Sequence, residues 1–265
     1  MLSEIQLEKI NEPLLSWFET HKRVLPWREN PTPYRVWVSE IMLQQTRVEA
    51  VKPYFERFTK ELPDLRHLAE CDEERLLKLG EGLGYYNRVR NMQIAAKTGM
   101  EEYQGKLPAD YEKLLTLKGI GHYTAGASAS IADGIPVPAV DGNVLRVITR
   151  NTAADTDIMK QAFRTQMEQR LKESMPKEAA SAYNQALMEL GATVCVPNGE
   201  PDCDNCPVQN ICMAKKEGSQ MAYPVKSKAK QRRIEKKTVF VIRDGSRVIL
   251  NKRPEKGLLA GLYEF

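Results

Sequence analysis

LKGIGHYTAGASASIADGIPVPAVDGNV, residues 117–144, decides how this chain is read. It opens on Gly119 and Gly121, one residue apart and flanked by helix-forming segments. Glycine adopts backbone angles closed to other residues, so the pair predicts a tight hairpin between two helices. The second helix would then present unpaired N–H groups at its start, a place for an anion that needs no side chain. Twenty residues past Gly121 stands Asp141, in a Val-Asp-Gly-Asn turn before another apolar helical run. Either piece alone reads more readily as a plain glycine turn or a helix N-cap. Together, a phosphate cradle and a placed carboxylate suggest chemistry on nucleic acid.

Outward from this stretch the chain reads as helix. Leu7, Ile10, Leu14 and Phe18 keep helical spacing, as do Trp37, Ile41, Val48 and Phe55 within VWVSEIMLQQTRVEAVKPYF. Further helical patterns cover roughly 72–79, 87–103, 110–117, 124–132, 142–151, 159–173 and 177–191. Asp72 and Asp110 are expected N-caps. After residue 237 the pattern changes. Thr238-Val-Phe-Val-Ile, Asp244-Gly245 and Arg247-Val-Ile-Leu predict a β-hairpin around an Asp-Gly turn. A lone hairpin is not stable in water, so residues 238–265 are expected to begin a second, mixed α/β domain whose remainder the chain lacks.

The 265 residues suffice for one or two cored domains, with 28% charged and 42% hydrophobic residues in the balance of a soluble protein. No apolar run approaches a membrane span, and the acidic, amphipathic start MLSEIQLEKINEPLL does not resemble a signal peptide. A cytoplasmic, nucleoid-associated place is expected. Net charge is only +4, so a nucleic-acid partner requires that charge on one face. From Lys215 to Lys237 there are nine Lys or Arg and two Glu, which fits both a solvated linker and a phosphate-binding surface.

Four of the five cysteines, Cys195, Cys203, Cys206 and Cys212, follow the spacing C-x7-C-x2-C-x5-C. Without an export signal, such clustering points to metal. One short pair with long flanking gaps fits an iron–sulfur cubane as well as zinc. Cys71 stands apart as an ordinary thiol. Glu40 falls at the edge of the apolar stripe of Trp37, Ile41, Gln44 and Val48. A carboxyl there can have a raised pKa and carry a proton near neutrality; a half-exposed surface glutamate is the plainer alternative.

Together, LPWR (25–28), WVSEIMLQQTRV (37–48), GLGYYNR (82–88), LKGIGHYTAGA (117–127), VDGNV (140–144) and the cysteines resemble MutY-type adenine DNA glycosylases of the helix-hairpin-helix superfamily. KRPEKGLLAGLYEF (252–265) is similar to the opening of that family's Nudix-like C-terminal domain. The resemblance implies a mainly α, two-lobed helix-hairpin-helix glycosylase fold with an iron–sulfur cluster loop. It implies a helical catalytic region over 1–213, a basic linker over 214–237, and an incomplete 8-oxoguanine recognition domain over 238–265.

The activity implied is hydrolysis of the glycosidic bond of adenine mispaired with 8-oxoguanine or guanine in double-stranded DNA, the adenosine being flipped into a pocket. Glu40 matches the general acid and Asp141 the carboxylate that stabilises an oxocarbenium-like sugar, the two-carboxylate logic of glycoside hydrolysis. Tyr123 and Asn143 match supporting polar residues. Trp27, Arg28, Leu43, Gln185 and Met188 match the base pocket. Gln45, Thr46, Leu83 and Tyr85 match the wedge around 8-oxoguanine, while Gly119 and Gly121 match backbone phosphate contacts. The four cysteines match ligands of a 4Fe–4S cluster, and a monomer is implied. Related lyases carry a lysine where Tyr123 stands, and tyrosine forms no Schiff base, so a monofunctional enzyme is expected.

Two departures stand out. The first cysteine gap is seven residues where six is usual, an insertion that costs little in a loop. The C-terminal domain is expected to be incomplete, and discrimination of 8-oxoguanine is expected to suffer. Two other readings stay open: an endonuclease III-like lyase on oxidised pyrimidines, and a non-catalytic DNA-binding protein. The second would gain nothing from carboxylates facing a polyanion.

Overall fold

The computed structural model describes residues 7–84, 86–227, 234, 236–254, 257 and 259–265. The chain forms two compact units, one running to Ser227 and one from residue 228 to the end.

The first unit is helical. Its elements are α1 (Asn11–His21), α2 (Pro26–Glu29), α3 (Pro33–Leu43), α4 (Val48–Glu61), α5 (Leu65–Glu70), α6 (Glu73–Leu79) and α7 (Tyr86–Glu102). There follow α8 (Tyr111–Thr116), α9 (His122–Asp133), α10 (Gly142–Thr152), α11 (Gln161–Ser174), α12 (Ala180–Thr193) and α13 (Met213–Glu217). Local chemistry sets many starts. Pro26 and Pro33 open α2 and α3, where a missing N–H costs nothing. Asp64, Asp72, Asp110 and Asp141 cap α5, α6, α8 and α10 by accepting backbone N–H bonds.

Two apolar cores organise these helices into lobes. Trp37, Val38, Phe55, Leu68, Met92, Leu114 and Ala129 belong to the first. The N-terminal Leu7, Ile10, Leu14 and Phe18 cross over to join Leu145, Ile148, Met167, Tyr183 and Leu187 in the second. Helix α9 packs on α3 of the first lobe and α12 of the second. It is the shared wall between them.

Three local expectations are corrected. The spacing over 36–55 reads as one helix, but α3 ends at Leu43 and α4 starts at Val48, with Gln45 between them at φ +59°. Both helices bury apolar residues in the same core, so the periodicity runs on through the break. In the hairpin, Gly119 takes the left-handed φ of +81°, whereas Gly121 has an ordinary φ of −99°. The tight turn therefore needs only one of the two glycines. A Cβ on Gly119 would also lie 2.9 Å from Asn91 Cβ, while one on Gly121 would meet open space.

In the second unit β1 (Arg243–Asp244) pairs antiparallel with β2 (Arg247–Val248), and β3 (Asn251–Lys252) with β4 (Tyr263–Glu264). The hairpin turn spans Asp244–Arg247 with Gly245-Ser246 at its centre, so Asp244 opens the turn as the last ladder residue and does not occupy a central position. The pairing is two residues per strand, much shorter than the β-branched runs suggest, and Val239, Phe240, Ile242 and Ile249 are exposed. At the other end of the basic stretch, residues 214–227 pack in the first unit. Val225 O accepts from Ile158 N at 3.0 Å, and Asp157 from Ser227 N at 3.2 Å.

Candidate active site

Helix α3 delivers Glu40. Its Val36, Trp37, Val38 and Ile41 are buried, and the pitch carries Glu40 inward with them, leaving it 5% exposed. The carboxyl faces a cleft of about 780 Å³ that both lobes line. Trp27, Arg28, Leu43, Gln45 and Thr46 line it from the first lobe, Gly121 and Tyr123 from the hairpin, and Asp141, Asn143, Gln185 and Met188 from the second. Leu83 instead packs, partly buried, against the first core. Gly119 lies outside the described lining, and Tyr85 is outside the described residues.

Glu40 is buried beneath a single strong donor. The Tyr123 hydroxyl donates to Glu40 Oε2 and lies 3.8 Å from Met188 Sδ. Burial pushes the Glu40 carboxyl from 4.5 up to about 7; the Tyr123 bond and the Arg28 charge pull it down, while Asp141 pushes it up. Burial, the charges of Glu40 and Asp141, and the bond to Glu40 hold Tyr123 well above its usual range, so the phenol remains a donor.

Asp141 is held differently. Asn184 bonds Ala139 N (3.0 Å), Val137 O (2.9 Å) and Ser130 Oγ (2.8 Å), pinning the extended segment that leads to the α10 N-terminus. There Asp141 Oδ1 accepts from Val144 N at 2.8 Å and Oδ2 from Asn143 Nδ2 at 2.7 Å. Burial raises this carboxyl above its ordinary 3.8, and these N–H bonds work against the rise. Asn143 in turn accepts from Arg146 Nη2 at 2.8 Å. Arg146, itself buried, reaches Gly191 O (2.6 Å) and Cys195 O (2.7 Å). A Cβ at Gly191 would lie 2.6 Å from Asn143 Cβ, so α10 and α12 approach this closely only because residue 191 is glycine.

Sequence reasoning overlooked Arg23, Arg146 and Glu189. Glu189 is 1% exposed and accepts from both Arg23 and Arg28. The available signal was a lone acid inside the apolar run ALMELGATV of α12, four residues past Gln185.

The four clustered cysteines surround a second cavity, together with Val147, Arg150, Leu190 and Lys215. Cys195 N bonds Leu190 O (2.8 Å), and Asp202 N bonds Val194 O (3.0 Å), closing the first loop. The gap between Cys195 and Cys203 runs through the exposed Pro197–Glu200, where Gly199 has φ +78°. Burial pushes the Cys206 thiol up to about 12 and also raises Cys203 and Cys212, so thiolates here need a bound cation. Arg150 Nη1 donates to Cys195 Sγ at 3.4 Å. Four sulfurs around one cavity fit a cysteine-held cluster. Among the described residues no three His, Cys, Asp or Glu meet closely enough to hold one metal ion. No described helix is long and apolar enough to cross a membrane.

Residues 38–176 match the HhH-GPD superfamily of base excision DNA repair proteins. The chain is 35% identical to the adenine DNA glycosylase of Buchnera aphidicola subsp. Schizaphis graminum, over 95% of this chain and 73% of that protein. It is 36% identical to the Arabidopsis thaliana adenine DNA glycosylase and 35% to the human one, over 100% and 95% of this chain. It spans 48% and 56% of those two proteins, about half their length. Among solved structures, a thermostable thymine-DNA glycosylase matches with a TM-score of 0.73 over 80% of this chain and 98% of that one, at 24% identity. Endonuclease III in a non-covalent DNA complex matches at 0.68 over 82% and 99%, also at 24% identity. These two likenesses speak for the fold alone.

Proposed function

The chain belongs to the HhH-GPD superfamily of base excision DNA repair proteins, in its adenine DNA glycosylase branch, and from that premise we propose that it is a monofunctional adenine DNA glycosylase. It acts on double-stranded DNA, hydrolysing the N-glycosidic bond of adenine paired with 8-oxoguanine or guanine. The observation that carries this reading is one cleft holding the buried Glu40 and the half-buried Asp141 in unlike surroundings. Neutral adenine is a poor leaving group. Its departure needs a proton on the base and negative charge beside the developing sugar cation.

Glu40, at about 7, is the proton donor to adenine N7 and afterwards the base toward water. Asp141, fixed by two N–H donors, presents its charge to the sugar. Tyr123 orients Glu40, and Asn143 orients Asp141. Trp27, Arg28, Leu43, Gln185 and Met188 form the base pocket; Gln45 and Thr46, with Leu83 and Tyr85, form the wedge. Backbone N–H groups at Gly119–Tyr123 take a phosphate, positioning the duplex without reading bases. The match to base excision DNA repair proteins supports a DNA partner here.

Cys195, Cys203, Cys206 and Cys212 would hold a 4Fe–4S cluster whose role is structural, and metal analysis should find about four irons per chain. Stoichiometric zinc without thiolate-to-iron absorbance would reject it. Residues 238–265 open a Nudix-like domain, and the protein works as a nucleoid-associated monomer. The direct test is incubation with duplexes carrying adenine opposite 8-oxoguanine. Strands that break only after alkali support the reading, whereas borohydride-trapped enzyme–DNA adduct would turn it toward a lyase.

A further inference from the structure

We propose that Glu189 is a positioning residue that sets the geometry of the base pocket through Arg28, an inference that rests on the glycosylase reading above. Glu189 lines the cleft yet has nothing left to offer a ligand, because protein donors fill its carboxylate. Oε1 accepts from Arg23 N (3.1 Å) and Arg23 Nε (2.6 Å); Oε2 accepts from Arg23 Nη2 (3.1 Å) and Arg28 Nη2 (2.9 Å). Four hydrogen bonds saturate the lone pairs of a carboxylate. At 1% exposure it would be costly to keep charged without them. Burial works against its ionisation, and the two guanidinia more than offset that, so its pKa is lowered.

What the clamp holds is Arg28. Beyond Glu189, the guanidinium donates from Nη1 to Arg23 O (3.1 Å) and from Nε to Gln185 Oε1 (3.0 Å), and it lies 5.4 Å from the Phe18 ring centroid. Among the described residues, three of its five N–H groups are thereby fixed by protein, leaving two for a base in the cleft. The bond to Gln185 also fixes which end of that amide is which. Oε1 faces Arg28, and Nε2 faces Ser181 O (3.4 Å) and Oγ (3.2 Å). One buried acid on α12 therefore sets the direction of a cation from α2 and of an amide one turn earlier on its own helix. The Arg28 charge also bears on Glu40, so the clamp reaches the proton donor without touching it.

The test is a double-mutant cycle on single-turnover adenine release from a duplex with adenine opposite 8-oxoguanine. Wild-type release is measured first and stands or falls with the glycosylase reading; the clamp is judged on the ratios. Glu189→Gln should slow release about tenfold or more, the scale of a small misplacement in a reacting site, with duplex affinity within about twofold of wild type. In an Arg28→Met background the same substitution should cost nothing further, because the residue it acts through is gone. Glu189→Asp keeps the buried charge, and with it the fold, but shortens the reach. It should show an intermediate loss that likewise vanishes in Arg28→Met. Independent, multiplicative losses in the cycle would assign Glu189 a merely structural role. Wild-type release by both Glu189 variants would overturn the proposal outright.

Discussion

The two lobes bring Glu40, buried, and Asp141, half-buried, to the same cleft, and they hold the two carboxyls with unlike partners. The first lobe strips Glu40 of water and returns one phenolic donor, leaving the carboxyl at about 7. The second seats Asp141 at a helix N-terminus and gives its oxygens a backbone N–H and an amide N–H. The first favours a carboxyl that holds a proton near neutrality; in the second, N–H donors work against the rise that burial causes. On the proposed reading, two like groups take two roles from their surroundings.

The sharpest way to break this contrast is to remove the titrating or the charged oxygen and keep the shape. Glu40→Gln and Asp141→Asn should each slow adenine release by about a hundredfold or more. Affinity for the mispaired duplex should survive in both, because neither group serves phosphate. Equilibrium binding set beside single-turnover rates separates the two effects.

Stability supplies an independent check on Glu40. A carboxyl raised from 4.5 to about 7 by folding binds its proton more tightly in the native state. Its contribution is therefore full below pH 4.5 and is lost as pH rises to about 7, a loss of about 3 kcal/mol. Denaturant unfolding at pH 5 and pH 8 should show wild type losing more stability than Glu40→Gln over that interval. Parallel curves would mean that Glu40 is ordinarily solvated.

A smaller effect is expected at Tyr123. Its bond pulls the Glu40 pKa down, so Tyr123→Phe should move the alkaline fall in release to higher pH. Release at neutrality should change by less than about tenfold. A shift to lower pH would give the hydroxyl a different role.

The smallest contrast lies within the hairpin. Gly119→Ala should cost about 1 kcal/mol or more, because alanine resists φ +81° and crowds Asn91. Gly121→Ala should unfold like wild type and yet weaken binding to all duplexes alike. Loss confined to the 8-oxoguanine duplex would place Gly121 outside the phosphate contact.

Much of this was legible in the sequence, for identifiable reasons. Aspartates before apolar helical runs announced the caps at Asp72 and Asp110, and the glycine pair announced the hairpin. The break after Leu43 was hidden because α3 and α4 bury residues in one core, and Gln45 supplies its left-handed φ without a glycine to mark it. The apolar stripe located Glu40 at an edge; only folding shows that Tyr123, 83 residues away, closes over it. Glu189 and Arg146 escaped notice because a buried charge is recognisable only by its partners, several of which lie far away in sequence: Arg23 and Arg28 for Glu189, Gly191 and Cys195 for Arg146. The exposed apolar residues of 239–250 read as strand by composition, but strand pairing depends on a partner that local sequence does not name.

The division of roles between the two carboxylates is tested most directly by single-turnover adenine release measured against pH on one duplex carrying adenine opposite 8-oxoguanine. Wild-type release should fall as pH rises through about 7, where Glu40 gives up its proton. Glu40→Gln should be slow by about a hundredfold or more and lack that limb, while Asp141→Asn should be comparably slow and keep it. Near-wild-type release by Glu40→Gln, or an unchanged limb in that variant, would contradict the assignment of the acid and with it the contrast between the lobes.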